Sequence, residues 1–592
     1  MDRFVVAPDH DAAAAAVGCL PFEPTHTVPY PSGRPWILAK LPFASLSVAH
    51  ADENSLALVG PGHVPGDLLK EALSSCESVA DLDGVVASLP GMFHVIARIA
   101  ARSRIQGTAS GLKQVFYTRY SGHIWASDRA RTLARLTGAP LDRSALALRL
   151  LEPVPHPLPE RSLWQGIETV PPGHYLGVGD RQDGRVERWW HLPKPSRPLE
   201  AGAAPVRDAL QLSVRLHVRG RKKVSSELSG GFDSTALLFL AEREQPVLAV
   251  TAASCDPLDE DEAWAARAVR HARQVDHRTV PATRLPLAYA QLDRATEALD
   301  EPSIAIASRA RVLAMTEIAR RERADLHLTG HGGDHLFVGL PTLSADLLRS
   351  HPLLSLRHIN SYRGMFGWRW ADIARQLIAP LPYRHWLKRS STSGTGADSR
   401  FPILTWGLGA TMPPWLTPRA AEMIHEEVRQ AAQMAAPLAP TPGRHFELDG
   451  IRDGARLARA LTDITACAGL PISTPFFDDR VMEAALAVRI EDRARPYAYK
   501  PLLAAAMQDI VPPDLLARTT KGVGSMDLAV GLRTYAPYLN QLWSDSRLAA
   551  LGLVDGQQLV RLCARPDSIE LDDGALLTTV ACELWLRSLE HE

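Results

Sequence analysis

Short apolar runs separated by polar turn residues recur through the first third of the chain. Residues 93–100 (FHVIARIA) and 115–128 (VFYTRYSGHIWASD) are of strand length and are bounded by Gly, Pro and Ser, the punctuation of a β-rich region. Residues 171–179 (PPGHYLGVG) enter a further strand from a tight turn, and Asp183-Gly184 marks a hairpin. The Pro- and Ala-rich stretch 194–205 (KPSRPLEAGAAP) is expected to be a linker that closes this region near residue 195.

Beyond it the period changes. Residues 205–218 (PVRDALQLSVRLHV) have helical spacing, 224–228 (VSSEL) read as a strand, and STALLFLAERE after them reads as a helix. The pattern repeats with 246–254 (PVLAVTAAS) as strand and 259–275 as helix, with acids at its positive end. Residues 325–337 (DLHLTGHGGDHLF) run from a strand into a glycine turn. Strand–loop–helix alternation predicts a parallel sheet with ligand loops at its carboxyl edge. The last third reads as largely helical, without internal repeats.

Composition narrows the class. A chain of 592 residues exceeds one ordinary core, so several domains are expected. A formal net charge of −1 provides no global field for nucleic acid or membrane. Six cysteines without CxxC spacing argue against a disulfide framework or a zinc site and fit a reducing cytoplasm. The first residues lack the basic start and apolar run of a signal peptide, and no segment approaches a membrane span.

The densest chemistry is SSELSGGFDSTALLFLAE, residues 225–242. Backbone N–H groups around Gly230 and Gly231, at the positive end of a helix, form an anion cradle, and the Ser229 and Ser234 hydroxyls add donors. Asp233 would repel a phosphate directly, but it suits a Mg²⁺ ion held between the two anions. The competing reading is a plain Gly-Ser turn before a helix.

LSGGFDSTA resembles the pyrophosphate loop of ATP pyrophosphatases of the asparagine synthetase superfamily. LDEPSIAIASRARVLAMTEIARRERADLHLTGHGGDHLFVG, TPFFDDRVMEAAL and YKPLLAAAMQDIVPPDLLARTTKG resemble that family's later segments in order. GLKQVFYTR, WASD and GIETVPPGHYL resemble the glutaminase domain that precedes the synthetase. The resemblance implies an α/β and α+β multidomain protein. Residues 1–195 would form a β-rich Ntn-hydrolase-like sandwich of degenerate class II glutamine amidotransferase type. Residues 196–592 would form a PP-loop ATP pyrophosphatase synthetase domain with a helical C-terminal part. ATP and Mg²⁺ are the implied cofactors.

Three departures refine the resemblance. Asp2 stands where a glutaminase needs a terminal cysteine, so a hydrolase fold without hydrolase activity is expected. His331 replaces the usual glutamate of the second ATP-side loop, and Pro471 stands where family members carry another glutamate. The tyrosine–glutamate pair of β-lactam synthetases is absent at these two positions. The combination most resembles lasso peptide cyclases, which join a core peptide's α-amine to an Asp or Glu side chain. A core or precursor peptide is the implied substrate, and a leader peptidase and a leader-binding protein are the implied partners. The segment from Pro341 to about Pro442 suits a large flexible substrate, with a mobile loop expected at 386–400. The rivals are a β-lactam-forming or other small-molecule amide ligase, a tRNA-modifying ATP pyrophosphatase and a degenerate scaffold.

The resemblance also implies roles. Leu228, Ser229, Gly230, Gly231, Asp233, Ser234, Val250 and Gly330 would bind the nucleotide. Asp233 and Asp334 would hold Mg²⁺. His331 would be the base that takes the amine's proton, and Lys521 would contact the phosphate and the developing oxyanion. Lys500 is a weaker candidate, and Tyr497, Tyr499, Glu301 and His335 are possible neighbours.

Overall fold

The structure is a computed structural model that describes residues 3–11, 13, 17–41, 45–62, 64–89, 91–179, 183–390, 401–518, 525–566, 571 and 573–590. Asp2, Lys521 and the 391–400 part of the expected loop lie outside these residues. The chain divides into two compact units. The first comprises Met1–Asp142, Glu160–Leu192 and Phe477–Arg480. The second comprises Arg143–Pro159, Pro193–Phe476 and Val481–Glu592.

The first unit is built on two six-stranded sheets. One orders β10 (Ile167–Val170), β8 (Val115–Tyr120), β9 (His123–Ser127), β1 (Arg3–Val6), β3 (Pro35–Lys40) and β2 (His26–Pro29). The other orders β12 (Gly184–Arg188), β11 (His174–Val178), β7 (Arg102–Gln106), β6 (His94–Ile99), β5 (Asn54–Val59) and β4 (Leu46–Ala51). Every pairing within them is antiparallel. Phe4, Trp36 and Ile37 of the first sheet share a core with Ala57, Ile96 and Leu176 of the second. The outer face of one sheet packs on the helix Ala130–Thr137, and that of the other on the helices Gly66–Ser74 and Leu82–Ser88. Each sheet is therefore apolar on both faces. This is why runs such as FHVIARIA are nearly continuous rather than cleanly alternating.

The second unit carries a five-stranded parallel sheet ordered β15 (Val275–Val280), β14 (Val247–Ala252), β13 (Val224–Glu227), β16 (Leu326–Leu328) and β17 (Ile472–Ser473). The chain leaves β13 toward β14 on one side and returns on the other side as β16. The crevice beyond the carboxyl ends of β13 and β16 is thus a topological switch point, where open α/β sheets take their ligands. Long helices, including Pro442–Cys467 and Asp573–Ser588, make up the remainder. No helix among the described residues is long and apolar enough to cross a membrane.

Two expectations are corrected. The linker ends early, because the helix Leu199–Val218 begins after Pro198 and carries Pro205 inside it. The Ala-rich sequence and buried Val206, Leu210 and Val214 outweigh the proline. The expected loop at 386–400 also begins late, since 386–390 complete the helix Tyr383–Ser390 with Trp386 and Leu387 buried.

Candidate nucleotide and acyl-transfer site

The Ser-Gly-Gly loop forms because its backbone must turn sharply between a buried strand and a buried helix. Gly230 has φ +67°, and a Cβ there would lie 2.5 Å from Trp264 Cβ and 2.6 Å from the Ala265 nitrogen. Only glycine meets both demands. The two serines then close the loop. Ser234 Oγ accepts from the Ser229 nitrogen at 3.2 Å and lies 3.1 Å from Ser229 Oγ. Gly231 N–H donates to Ser229 Oγ at 3.4 Å. The loop opens the helix Phe232–Glu242, so helical N–H groups and a positive dipole end face the same space.

The second loop follows β16 and packs against that helix start. A Cβ on Gly330 would lie 3.0 Å from the Ser234 nitrogen, and one on Gly333 would lie 2.1 Å from Asp233 Oδ1. The spacing of GHGGD therefore brings Asp334 beside Asp233. Lys500 Nζ donates to Asp233 Oδ2 and lies 2.8 Å from Asp334 Oδ1. Its side chain is fully buried, and its backbone is left-handed with φ +45°. That conformation costs a non-glycine residue about 1–2 kcal/mol, and the paired charges offset it. The Tyr499 ring lies 5.2 Å from Nζ, and Tyr499 OH reaches Asp334 Oδ1 at 3.5 Å. Lys500, the weaker candidate by sequence, is thus the cation that joins the two acids.

Arg518 carries a role that sequence reasoning missed. Its guanidinium donates to the Ser229 carbonyl at 3.0 Å and to Asp261 Oδ1 at 2.5 Å. It fastens the glycine loop to the helix Asp261–His271 from a position 289 residues away. Its only sequence signal is the arginine in ARTTKG.

His331 lies within this second loop. Its Nε2 donates to the Gly454 carbonyl at 3.0 Å, because a carbonyl can only accept. The neutral ring therefore carries its basic lone pair on Nδ1. Burial pushes its pKa below the usual histidine value, against the opposing pull of the Gly454 carbonyl and of Glu227, Asp334 and Asp453. His335 packs edge-on to it with ring centroids 5.3 Å apart and fills the space beside Gly454.

The remaining candidates divide. Leu228 and Val250 are fully buried and joined by a 3.0 Å backbone hydrogen bond. They form the floor beneath the loop. Pro471 takes its place in the sheet, accepting from the His327 nitrogen at 3.1 Å. Glu301 is held by Arg459 at 2.7 Å and Arg149 at 3.5 Å. Burial raises its pKa, but Arg459, Arg149 and Arg456 outweigh burial and hold the carboxyl below its usual range. Tyr497 lies against His358, ring centroids 5.7 Å apart, and is 57% exposed.

Two carboxylates close enough to share one ammonium are a hard oxygen pair that fits Mg²⁺, which usually takes one or two protein carboxylates and completes its shell from phosphates and water. Among the described residues there is no group of three or more His, Cys, Asp or Glu able to hold a metal. A site of dedicated all-protein ligands, as in structural zinc centres, is therefore not formed by these residues.

Residues 205–587 match the family model for asparagine synthase. Asparagine synthetase [glutamine-hydrolyzing] 1 of Bacillus subtilis (strain 168) is 28% identical over 144 residues, which cover 23% of this chain and 22% of that relative. The match thus spans about a fifth of the relative's length. Among solved structures, the allosteric regulatory enzyme of purine biosynthesis has a TM-score of 0.22 at 8% identity, covering 49% of this chain and 82% of its own. NMN synthetase from Francisella tularensis has a TM-score of 0.17 at 16% identity, covering 24% and 58%. Scores this low leave the fold to be read from the strand order itself. With the family model covering well over half of its length, the chain belongs to the asparagine synthase family of ATP-dependent amide ligases.

Proposed function

We propose that this protein is an AMP-forming macrolactam synthetase of the lasso peptide cyclase type. It activates an Asp or Glu side chain of a core peptide and joins it to the peptide's own α-amine. The observation that carries the reading is the convergence of the Ser229–Ser234 cradle, the Asp233–Lys500–Asp334 cluster and His331 at one switch point. A carboxylate attacks the α-phosphate of ATP, and its oxygen replaces pyrophosphate. Ser229, Gly230, Gly231 and Ser234 cradle the leaving pyrophosphate. Mg²⁺ held by Asp233 and Asp334 would offset the charge that develops there. The amine then attacks the acyl carbon, AMP leaves, and His331 takes the amine proton. Lys521 is assigned to the phosphate and the oxyanion.

In this reading residues 1–195 form an Ntn-hydrolase-like domain without glutaminase chemistry, because the amine comes from the substrate. The two cysteines of that region support it. Cys19 is exposed, and Cys76 is buried, with burial raising its pKa and its Sγ donating to the Ala72 carbonyl. A cytoplasmic location with a leader peptidase and a leader-binding protein as partners completes the proposal.

The test is incubation of a leader-free core peptide with ATP and Mg²⁺. The expected result is loss of one water by mass spectrometry with stoichiometric AMP. Amidation of a free amino acid with no cyclic peptide from any candidate would replace this reading with a small-molecule ligase.

A further inference from the structure

Resting on the peptide reading above, we infer that the outer face of the helix Pro352–Phe366 is a docking track for an acidic, aliphatic stretch of the substrate peptide. Chain charge gives the first argument. From Leu347 to Ala371 there is no Asp or Glu, while Arg349, Arg357, Arg363 and Arg369 all fall in this stretch. A stretch with cations and no acids of its own favours a partner of opposite sign.

The state of the guanidiniums gives the second. Arg357 stands over the Tyr497 ring at 5.6 Å, and Arg363 stands over the Trp370 ring at 5.4 Å while donating to Asn360 Oδ1 at 3.1 Å. Among the described residues no carboxylate pairs with either. Each guanidinium is held over an aromatic ring, a contact that leaves N–H donors for a carboxylate. Apolar surface accompanies them. Leu353 is 84% exposed and Leu356 is 43% exposed, and Trp370 is half exposed. Isolated exposed leucines need no explanation, but here they share one helix with two arginines held over aromatic rings.

Continuity with the site is the third. Tyr497, the ring beneath Arg357, lies two residues before Tyr499, whose hydroxyl reaches Asp334. The track thus begins at Tyr497, two residues along the chain from the tyrosine of the acid cluster, and runs along the helix from Arg357 to Arg363, about 9 Å of axial rise, toward Trp370. An extended peptide covers that distance in roughly three residues, so a short acidic stretch spans both arginines. A small amino acid would gain nothing from such a track. A peptide whose reacting carboxyl lies at the acid cluster would lay its following residues along it.

The experiment uses the full-length protein and fluorescein-labelled peptides of alternating Asp-Leu and Ser-Leu, with anisotropy as readout. The acidic peptide should bind at least ~10-fold tighter than the Ser-Leu peptide, weaken as salt rises, and lose ~10-fold or more in the double variant Arg357→Glu with Arg363→Glu. ATP binding of that variant, measured separately, should stay at the wild-type level. Equal binding of the two peptides, or unchanged binding in the double variant, overturns the track. The peptide reading has its own check. If the wild type cyclises a core peptide and the double variant does so with an unchanged KM, the reading stands and the track is wrong. If no peptide is bound or cyclised while a free amino acid is amidated, both fall.

Discussion

At the residue scale Lys500 is the most informative side chain. Its ammonium is the direct neighbour of Asp233 and Asp334, with no exposed surface of its own. Removing one member of a buried ion cluster leaves the others uncompensated, at a cost of about 3–5 kcal/mol. Lys500→Met should therefore lower the urea midpoint sharply. Added Mg²⁺ should recover more stability in this variant than in the wild type, because the acids then accept a different cation. A variant as stable as the wild type, or indifferent to Mg²⁺, would remove both statements. His331 makes a separate prediction. If it is the base for ring closure, His331→Ala should slow macrolactam formation ~10²–10⁴-fold, while hydroxylamine still traps the activated carboxylate. Its depressed pKa keeps the ring neutral at pH 7, so the acid limb of the wild-type pH–rate profile belongs below pH ~6.5. Normal cyclisation in the alanine variant, or a limb above that value, places the base elsewhere. The glycine loop was legible in the sequence because its chemistry is local, with a tight turn, two hydroxyls and a helix start in one short run. Lys500 is faint in the sequence for the opposite reason. YAYKPLL says nothing about which acids its lysine will meet 267 residues earlier in the chain.

At the scale of elements, one glycine and one proline set the geometry. A Cβ at position 333 would stand 2.1 Å from Asp233 Oδ1, so Gly333→Ala must move Asp233 or the whole second loop. Carboxylate-dependent exchange of pyrophosphate into ATP should fall at least ~10²-fold, the scale of a 1 Å misplacement at a reacting centre, with secondary structure by circular dichroism unchanged. Exchange at the wild-type rate would show that the two loops need no such close approach. Pro205 lies inside the helix Leu199–Val218, where it removes a backbone donor. Pro205→Ala should stabilise the protein by about 1–3 kcal/mol, the interior-proline penalty less what proline saves in the unfolded chain. A lower denaturation midpoint would instead show that the helix is bent around the proline to good effect. Composition made 194–205 look like a linker because Pro and Gly are strong punctuation. What overrode them, the burial of Val206, Leu210 and Val214, is a tertiary fact. The placement of Arg143–Pro159 with the second unit is another, with no local signal at all.

At the scale of the whole molecule, buried histidines set the acid response. Burial lowers His327 to about 4 and His445 to about 3. In the unfolded chain both titrate near ~6.5. Between pH 6.5 and 4 the unfolded state therefore binds more protons than the native one, and stability drops as pH falls through that window while remaining intact above it. Urea midpoints measured from pH 8 to pH 4 should be level at first and then decline. A midpoint that holds constant down to pH 4 would contradict the burial of these rings. The first unit carries its own prediction. Incubation with glutamine should release no ammonia above background, and release abolished by one substitution within residues 1–195 would overturn the absence of glutaminase chemistry. The alternation of strands and helices made the parallel sheet legible in outline. The strand order was not, since β17 joins β16 from far along the chain.

The bond between Lys500 and Asp233 also sets a clock. A ribosome adding about 5–20 residues each second needs roughly 13 to 50 seconds to make the 267 residues that separate them. Throughout that time the nascent chain already holds the cradle, the first helix and, later, the second loop, but it lacks the ammonium that neutralises the acids. Arg518, which fastens the cradle, emerges later still. From residue 334 to residue 500, a little over a quarter of its synthesis, the chain therefore carries both carboxylates without the lysine that joins them. In that interval, cations from the surrounding solution, Mg²⁺ among them, would have to balance these charges.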